Sequence, residues 1–232
     1  MNRIGGSFPN KAEGYDIRFK HPFSAQCISP SGGGKTTFVL NLIRHLGELV
    51  VPKIDRIVYC ASEYQTAFDE FPHVTFLDHF DEDLVSKESL PGTEAVLMIV
   101  DDLMHTLRDS RIIGQIFCSI VHHRNLSFIL LQNNYYPVGF KCGTDVNRNS
   151  HYKILWKNNP ERLQTMLLGR SLFPRQSGFW NEMINDCFST PYNYLVINNR
   201  SDADENVRCL SGIFPNQTTV SYIPRKTKKS SL

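Results

Sequence analysis

A chain of 232 residues, 41% hydrophobic and 21% charged, is long enough for one α/β domain with a sizeable core and too short for two large ones. Its formal net charge of +2 excludes bulk attraction to nucleic acid and leaves room only for local basic surfaces. No apolar run reaches the roughly 18–20 residues that span a bilayer, and the polar start MNRIGGSFPNK lacks the apolar stretch of a secretory signal, which predicts a soluble, intracellular protein that engages no membrane.

Residues 1–22 are polar and punctuated by Gly5, Gly6, Pro9, Gly14 and Pro22, and read as an extended leader. Residues 23–28 are apolar or small and suit a short buried strand. A glycine-dense turn follows over 29–34, and from Lys35 onward Phe38, Val39, Leu42, Ile43 and Leu46 recur at helical spacing. Strand, loop and helix stand in the order a phosphate cradle needs. Glycines let the backbone N–H groups approach phosphate oxygens, and the helix N-terminus adds partial positive charge. The nucleotide-binding set is Ser29, Pro30, Ser31, Gly32, Gly33, Gly34, Lys35, Thr36 and Thr37, with Lys35 on the outer phosphates and Thr36 on a magnesium ion. Ser29 stands where the usual loop has its first glycine.

Pro52 marks a break, and KIDRIVYCAS reads as a second strand whose end, Ser62, Glu63, Tyr64 and Gln65, leaves polar side chains beyond a strand terminus, where α/β proteins put their ligands. A short helix through Phe68 and Phe71, a brief strand near 74–77 and an acidic surface helix and turn in HFDEDLVSKESLPG come next. AVLMIVDD, 95–102, is a continuous apolar run tipped by two aspartates, the pattern of a strand buried on both faces of a parallel sheet. Residues 105–122 then predict one helix through Leu107, Ile112, Ile113, Ile116, Phe117 and Ile120. SFILL, 127–131, is a further buried strand tipped by Gln132, Asn133 and Asn134. Residues 135–150 show no period and predict a long mobile or partner-contacting loop.

HYKILWK predicts another strand, NPERLQTMLLGRSLF and GFWNEMINDCF two helices, and PYNYLVIN and VRCLSGIF closing strands, the last pairing with TTVSYI. The six cysteines, at 27, 60, 118, 142, 187 and 209, show no CxxC spacing and are expected reduced, with neither metal nor disulfide. Arg225, Lys226, Lys228 and Lys229 make a basic tail, solvated or engaged in phosphate binding or nuclear targeting. The expected organisation is a leader over 1–22, a nucleotide-binding domain over 23–223 and the basic tail over 224–232.

In a parallel sheet these strand ends share one edge, so the phosphate loop, the aspartate pair and Gln132 are expected to meet. Phosphoryl transfer to water needs a cradle, a cation, a carboxylate beside it and a group that places water. Asp101 would hold magnesium with Thr36, Asp102 would take the proton from water, and Gln132 would sense the terminal phosphate. Arg124, acting in cis or across a subunit boundary, is the leading candidate to stabilise the transferring phosphoryl, with Arg148, Arg170 and Arg175 as alternatives. Aspartate rather than glutamate at 102 predicts slow turnover.

The order of SPSGGGKTTFVLNLI, IVYCASEYQ, VLMIVDDLM and HHRNLSFILLQNNYY resembles the genome-packaging ATPases of double-stranded DNA viruses in the FtsK/HerA superfamily, of the poxvirus and polinton- or adintovirus-like type. NSHYKILWKNNPERLQTMLLGRSLFP and PYNYLVIN extend the resemblance over 20–215. It implies a P-loop NTPase three-layer sandwich with a mostly parallel central sheet, RecA/FtsK-HerA-like, with an additional strand between the two nucleotide-motif strands. It also implies an ATP- and Mg2+-dependent motor that moves double-stranded DNA into a preformed capsid at a portal vertex, as a ring of identical subunits. Such a motor would work in the host nucleus or viral assembly site, or travel in the virion. These relatives show Arg-His where this chain has His122 and His123 before Arg124. Two other functions fit the same cradle: a nucleotide-binding scaffold or switch with little turnover, and a small-molecule kinase.

Overall fold

The computed structural model describes residues 5–7 and 14–224, so the basic tail and part of the leader lie outside the described residues. The strands are β1 (Gly5–Ser7), β2 (Phe19–Lys20), β3 (Ser24–Ile28), β4 (Val50–Val51), β5 (Arg56–Ala61), β6 (Val74–Leu77), β7 (Val96–Asp101), β8 (Leu126–Gln132), β9 (Tyr152–Trp156), β10 (Tyr194–Asn198), β11 (Cys209–Ser211) and β12 (Thr218–Ser221). The α-helices are α1 (Lys35–Arg44), α2 (Leu46–Leu49), α3 (Met104–Leu107), α4 (Ile112–Gln115), α5 (Val121–His123), α6 (Gly143–Asn149), α7 (Arg162–Leu172) and α8 (Ser177–Cys187).

The main sheet has the order β1-β12-β11-β10-β9-β3-β8-β7-β5-β6. From β9 to β6 its strands run parallel. Strands β10, β11, β12 and β1 extend it antiparallel. β8 lies between β3 and β7, as the expected inserted strand. β2 and β4 form a separate parallel pair, and the Phe19 ring that β2 contributes stands 4.7 Å from that of Tyr152 on β9.

Three layers follow from strands apolar on both faces. On one face α1 buries Val39, Leu42 and Ile43 against Ala25, Cys27, Leu97, Ile99, Ile129 and Leu131. The other face carries two cores. Ile113, Ile116 and Phe117 cover Met98, Val100, Phe128 and Leu130, while Leu168, Trp180 and Met183 cover Leu155, Leu195 and Ile197.

Two segments differ from expectation. The helix expected over 105–122 is interrupted after Leu107 and restarts at Ile112, whose N–H donates to the Ser110 hydroxyl at 3.2 Å. Asp109 and Ser110 favour such a turn, and the restarted run passes through a π-helical stretch, Ile116–Ile120. Residues 135–150 are not a structureless loop: Tyr135 is buried, and α6 anchors through Val146. With so few apolar anchors, a seven-residue polar helix offers no readable period.

Where the two cores of the second face meet, the sheet carries a polar seam. Gln26 Nε2 donates to Gln132 Oε1 at 2.7 Å, and Gln26 Oε1 accepts from Ser150 Oγ at 2.8 Å and from Lys153 Nζ. Burial pushes the Lys153 ammonium down from 10.5 to about 7. Between those two values the unfolded chain holds a proton the folded one lacks, so this group's destabilisation is complete below about pH 7 and fades as pH rises toward 10.5. Lys153→Met is expected to flatten the rise in unfolding free energy between about pH 7 and pH 10 by about 1.4 kcal/mol per pH unit. Urea melts of both proteins across that range check it.

Candidate nucleotide site

The loop after β3 begins with a tie to the neighbouring strand: Ser29 N–H donates to the Gln132 carbonyl at 3.1 Å. It then turns on itself, Gly33 N–H donating to the Pro30 carbonyl at 3.1 Å. Gly32 and Gly34 take positive φ of 71° and 105°, which a side chain would strain. Gly34 caps α1 without a side-chain hydrogen bond, so the first N–H groups of the helix face the cleft with no side-chain partner at the cap.

Ser29 has a structural consequence one turn away. A Cβ on Gly33 would sit 1.7 Å from Ser29 Oγ, and Ser29 is fully buried. The missing first glycine thus transfers its steric constraint to Gly33. Gly33→Ala is expected to destabilise the fold by about 1–3 kcal/mol through overpacking. Ser29→Gly in the same chain should recover most of that loss, as read from denaturation midpoints of the single and double variants.

Lys35 is 7% exposed, and its ammonium donates to the carbonyls of Ser29 at 2.7 Å and Pro30 at 3.2 Å and to Asn133 Oδ1 at 2.8 Å. Burial lowers its pKa, opposed by the charges of Asp101 and Asp102. The next residue, Thr36, donates its hydroxyl to Asp101 Oδ2 at 2.9 Å, and Tyr59 donates to the same oxygen at 2.8 Å. Burial raises the Asp101 pKa against the opposing hydrogen bonds of Tyr59 and Thr36 and the charge of Lys35. Asp102, exposed with φ of 54°, accepts from Asn133 Nδ2 at 3.4 Å. The end of β7, the loop and the end of β8 therefore converge on one rim. The cleft there has a volume of about 480 Å³ and is lined by residues 31–37 together with Asp101, Asp102 and Asn133.

Ser29 and Pro30 sit behind the cradle, their carbonyls holding Lys35 rather than lining the cleft, and two expected catalytic residues lie elsewhere. Gln132 is buried and directed to the opposite face of the sheet, bonded to Gln26, and it does not line the cleft. Asn133, one residue on, reaches both Lys35 and Asp102. Arg124 caps the helical run just before β8, at the other end of that strand. Eight residues at strand spacing put it about 25 Å from the cleft, so the in-cis role is ruled out for this chain's own site.

Of the residues around the cleft, Tyr59 and Tyr192 carried no role in the sequence reading, whereas the polar tip at 62–65 was expected where ligands sit. Tyr59 looked like one more member of an apolar strand, and its hydroxyl anchors Asp101 from the neighbouring β5. Ser62, Glu63 and Gln65 bring further polar groups from the end of β5. Tyr192, 75% exposed in the turn before β10, stands over the loop, its ring 4.0 Å from where a Cβ on Gly34 would lie. The only signal for that position was its place in a Pro-Tyr-Asn turn.

The donor set suits magnesium. Thr36 and Asp101 offer hard oxygens beside the phosphate cradle and would hold the ion there. Among the described residues no group of three or more His, Cys, Asp or Glu gathers to hold a metal by itself.

No family model and no curated protein sequence matches this chain. Solved structures do. The genome packaging NTPase B204 of Sulfolobus turreted icosahedral virus 2, in complex with ATP-gammaS, superposes with a TM-score of 0.54 at 12% identity, over 88% of this chain and 98% of that one. B204 of Sulfolobus Turreted Icosahedral Virus, a DNA-packaging ATPase, gives 0.54 at 9% identity, covering 88% and 99%. The cytoplasmic domain of the Thermomonospora curvata Type VII secretion ATPase EccC gives 0.51 at 13% identity, over 99% of this chain and 30% of that one. These likenesses establish the fold: a three-layer α/β architecture with a large, mostly parallel central sheet, like that of P-loop ATPases.

Proposed function

We propose that this protein is an ATP-hydrolysing motor that moves double-stranded DNA into a viral capsid, the reading that its resemblance to FtsK/HerA packaging ATPases implies. The observation that carries it is the convergence of Lys35, Thr36, Asp101, Asp102 and Asn133 in one cleft, on a sheet with a strand inserted between β3 and β7. The likeness to two virus-packaging B204 structures, each covered almost end to end, supports the same reading.

In the proposed site the 29–34 loop and the α1 N-terminus hold the phosphates of ATP. Magnesium, bound by Thr36 and Asp101, would neutralise charge on the transferring group. Lys35 moves its hydrogen bonds from the loop carbonyls to phosphate oxygens, Asp102 accepts the proton of the attacking water, and Asn133 links the two. A ring of identical subunits would supply an arginine in trans, and a capsid vertex would be the partner. The test is steady-state phosphate release with and without duplex DNA across a salt series. DNA should stimulate turnover, and the stimulation should fall as salt rises, because phosphate contacts release counterions. Turnover indifferent to DNA at every salt concentration contradicts the proposal.

A further inference from the structure

Beside the nucleotide cleft, on the same rim of the sheet, a second cleft of about 550 Å³ opens between α7 and α8. Lys157, Asn158, Asn159 and Arg162 line one side of it, and Asn181 and Asn185 the other. No carboxylate is among its lining residues. Neither Lys157 nor Arg162 has an ion-pair partner among the described residues. These two cations and the amides of Asn159, Asn181 and Asn185, with the nearby Glu161 carboxylate already bonded to Asn158 and to Tyr135 N–H, suit the oxygens of a phosphodiester backbone.

Two tethers join this cleft to the nucleotide loop. Lys157 follows Trp156, whose Nε1 lies 3.5 Å from where a Cβ on Gly34 would stand and whose ring meets Phe38 of α1 edge-on at 5.5 Å. On the other side, the Glu161 carboxylate accepts from Tyr135 N–H at 2.9 Å and from Asn158 Nδ2 at 3.0 Å, and Thr165 of α7 donates to the Tyr135 hydroxyl at 3.1 Å. Tyr135 stands two residues beyond Asn133, which holds Lys35. A ligand that shifts the start of α7 therefore pulls on segments that end at Gly34 and at Asn133.

We infer that the α7–α8 cleft seats the sugar-phosphate backbone of nucleic acid and transmits its occupancy to the nucleotide loop. The inference rests on the motor reading proposed above and locates its DNA contact. The test is Lys157→Glu/Arg162→Glu, two exposed positions outside the nucleotide site, measured by equilibrium binding of a fluorescent DNA duplex over a salt series and by phosphate release. Duplex affinity is expected to fall about 10- to 100-fold, and the slope of log affinity against log salt to shrink by about two. Turnover without DNA should stay at the wild-type level while the DNA-stimulated increment is lost. If the wild type binds and is stimulated by duplex, and the variant matches it in affinity and slope, the cleft assignment falls and the motor reading stands. A wild type that hydrolyses ATP yet binds no duplex overturns both. If the variant changes oligomeric mass and leaves duplex affinity intact, the exposed α7 face is a subunit contact and the cleft assignment is wrong.

Discussion

Lys35→Ala is expected to lower kcat for ATP hydrolysis by about 10²- to 10³-fold, the usual loss when one preorganised donor to a transferring group is removed. The ammonium is nearly buried and already held by two loop carbonyls and the Asn133 amide oxygen, so it is presented to the cleft before any nucleotide arrives. The same truncation leaves those three acceptors without their donor. A drop in stability of about 1–3 kcal/mol should accompany the kinetic loss. Phosphate release and a denaturant melt on the same preparation separate the two effects. Turnover within a few-fold of wild type would remove Lys35 from the proposed chemistry.

The second large effect divides two adjacent residues. Asn133→Ala breaks the link between Lys35 and Asp102 and is expected to reduce kcat by about 10²-fold with little change in stability. Gln132→Ala should do the reverse. It leaves Gln26 Nε2 buried without its acceptor, at about 1–3 kcal/mol, while turnover of the folded protein stays within a few-fold of wild type. Collapse of turnover in a fully folded Gln132→Ala protein, beside a silent Asn133→Ala, would reinstate Gln132 as the residue that places water.

That pair also shows where reading the chain reached its limit. Consecutive residues of a strand point to opposite faces, so choosing between 132 and 133 requires knowing which parity faces α1. An edge or half-exposed strand announces its parity by alternation. β8 does not, because Phe128 to Leu131 are apolar on both faces, as a central parallel strand must be. The backbone position of the polar tip was legible for the same reason that its orientation was not. Tyr59 was hidden by the same continuity: inside IVYCA it counts as apolar bulk, and only the pairing of Ala61 with Asp101 brings β5 alongside β7, within reach of that carboxylate.

What was legible rested on local rules. The strand, glycine turn and helix around 23–44 are specified within a few residues of one another, and Lys35, Thr36 and Asp101 follow from that motif and from charge appearing only at a strand's end. The three continuous apolar runs marked buried parallel strands with polar tips on one rim, while the place of β8 between β3 and β7 came from the family resemblance alone. The distance of Arg124 from the cleft was within reach too, since a seven-residue β8 separates it from Gln132. The steric debt that Ser29 places on Gly33 needed coordinates, because it depends on how a six-residue loop folds back on itself.

In the proposed motor, chemical turnover in this cleft drives movement along duplex DNA. The most direct measurement is displacement of a fluorescent third strand from a triplex-bearing duplex, followed with ATP and magnesium and again with ATPγS. Strand release at a rate that tracks phosphate production, and none with ATPγS, is the predicted result. Sustained phosphate production on the same duplex with the third strand left in place would contradict it.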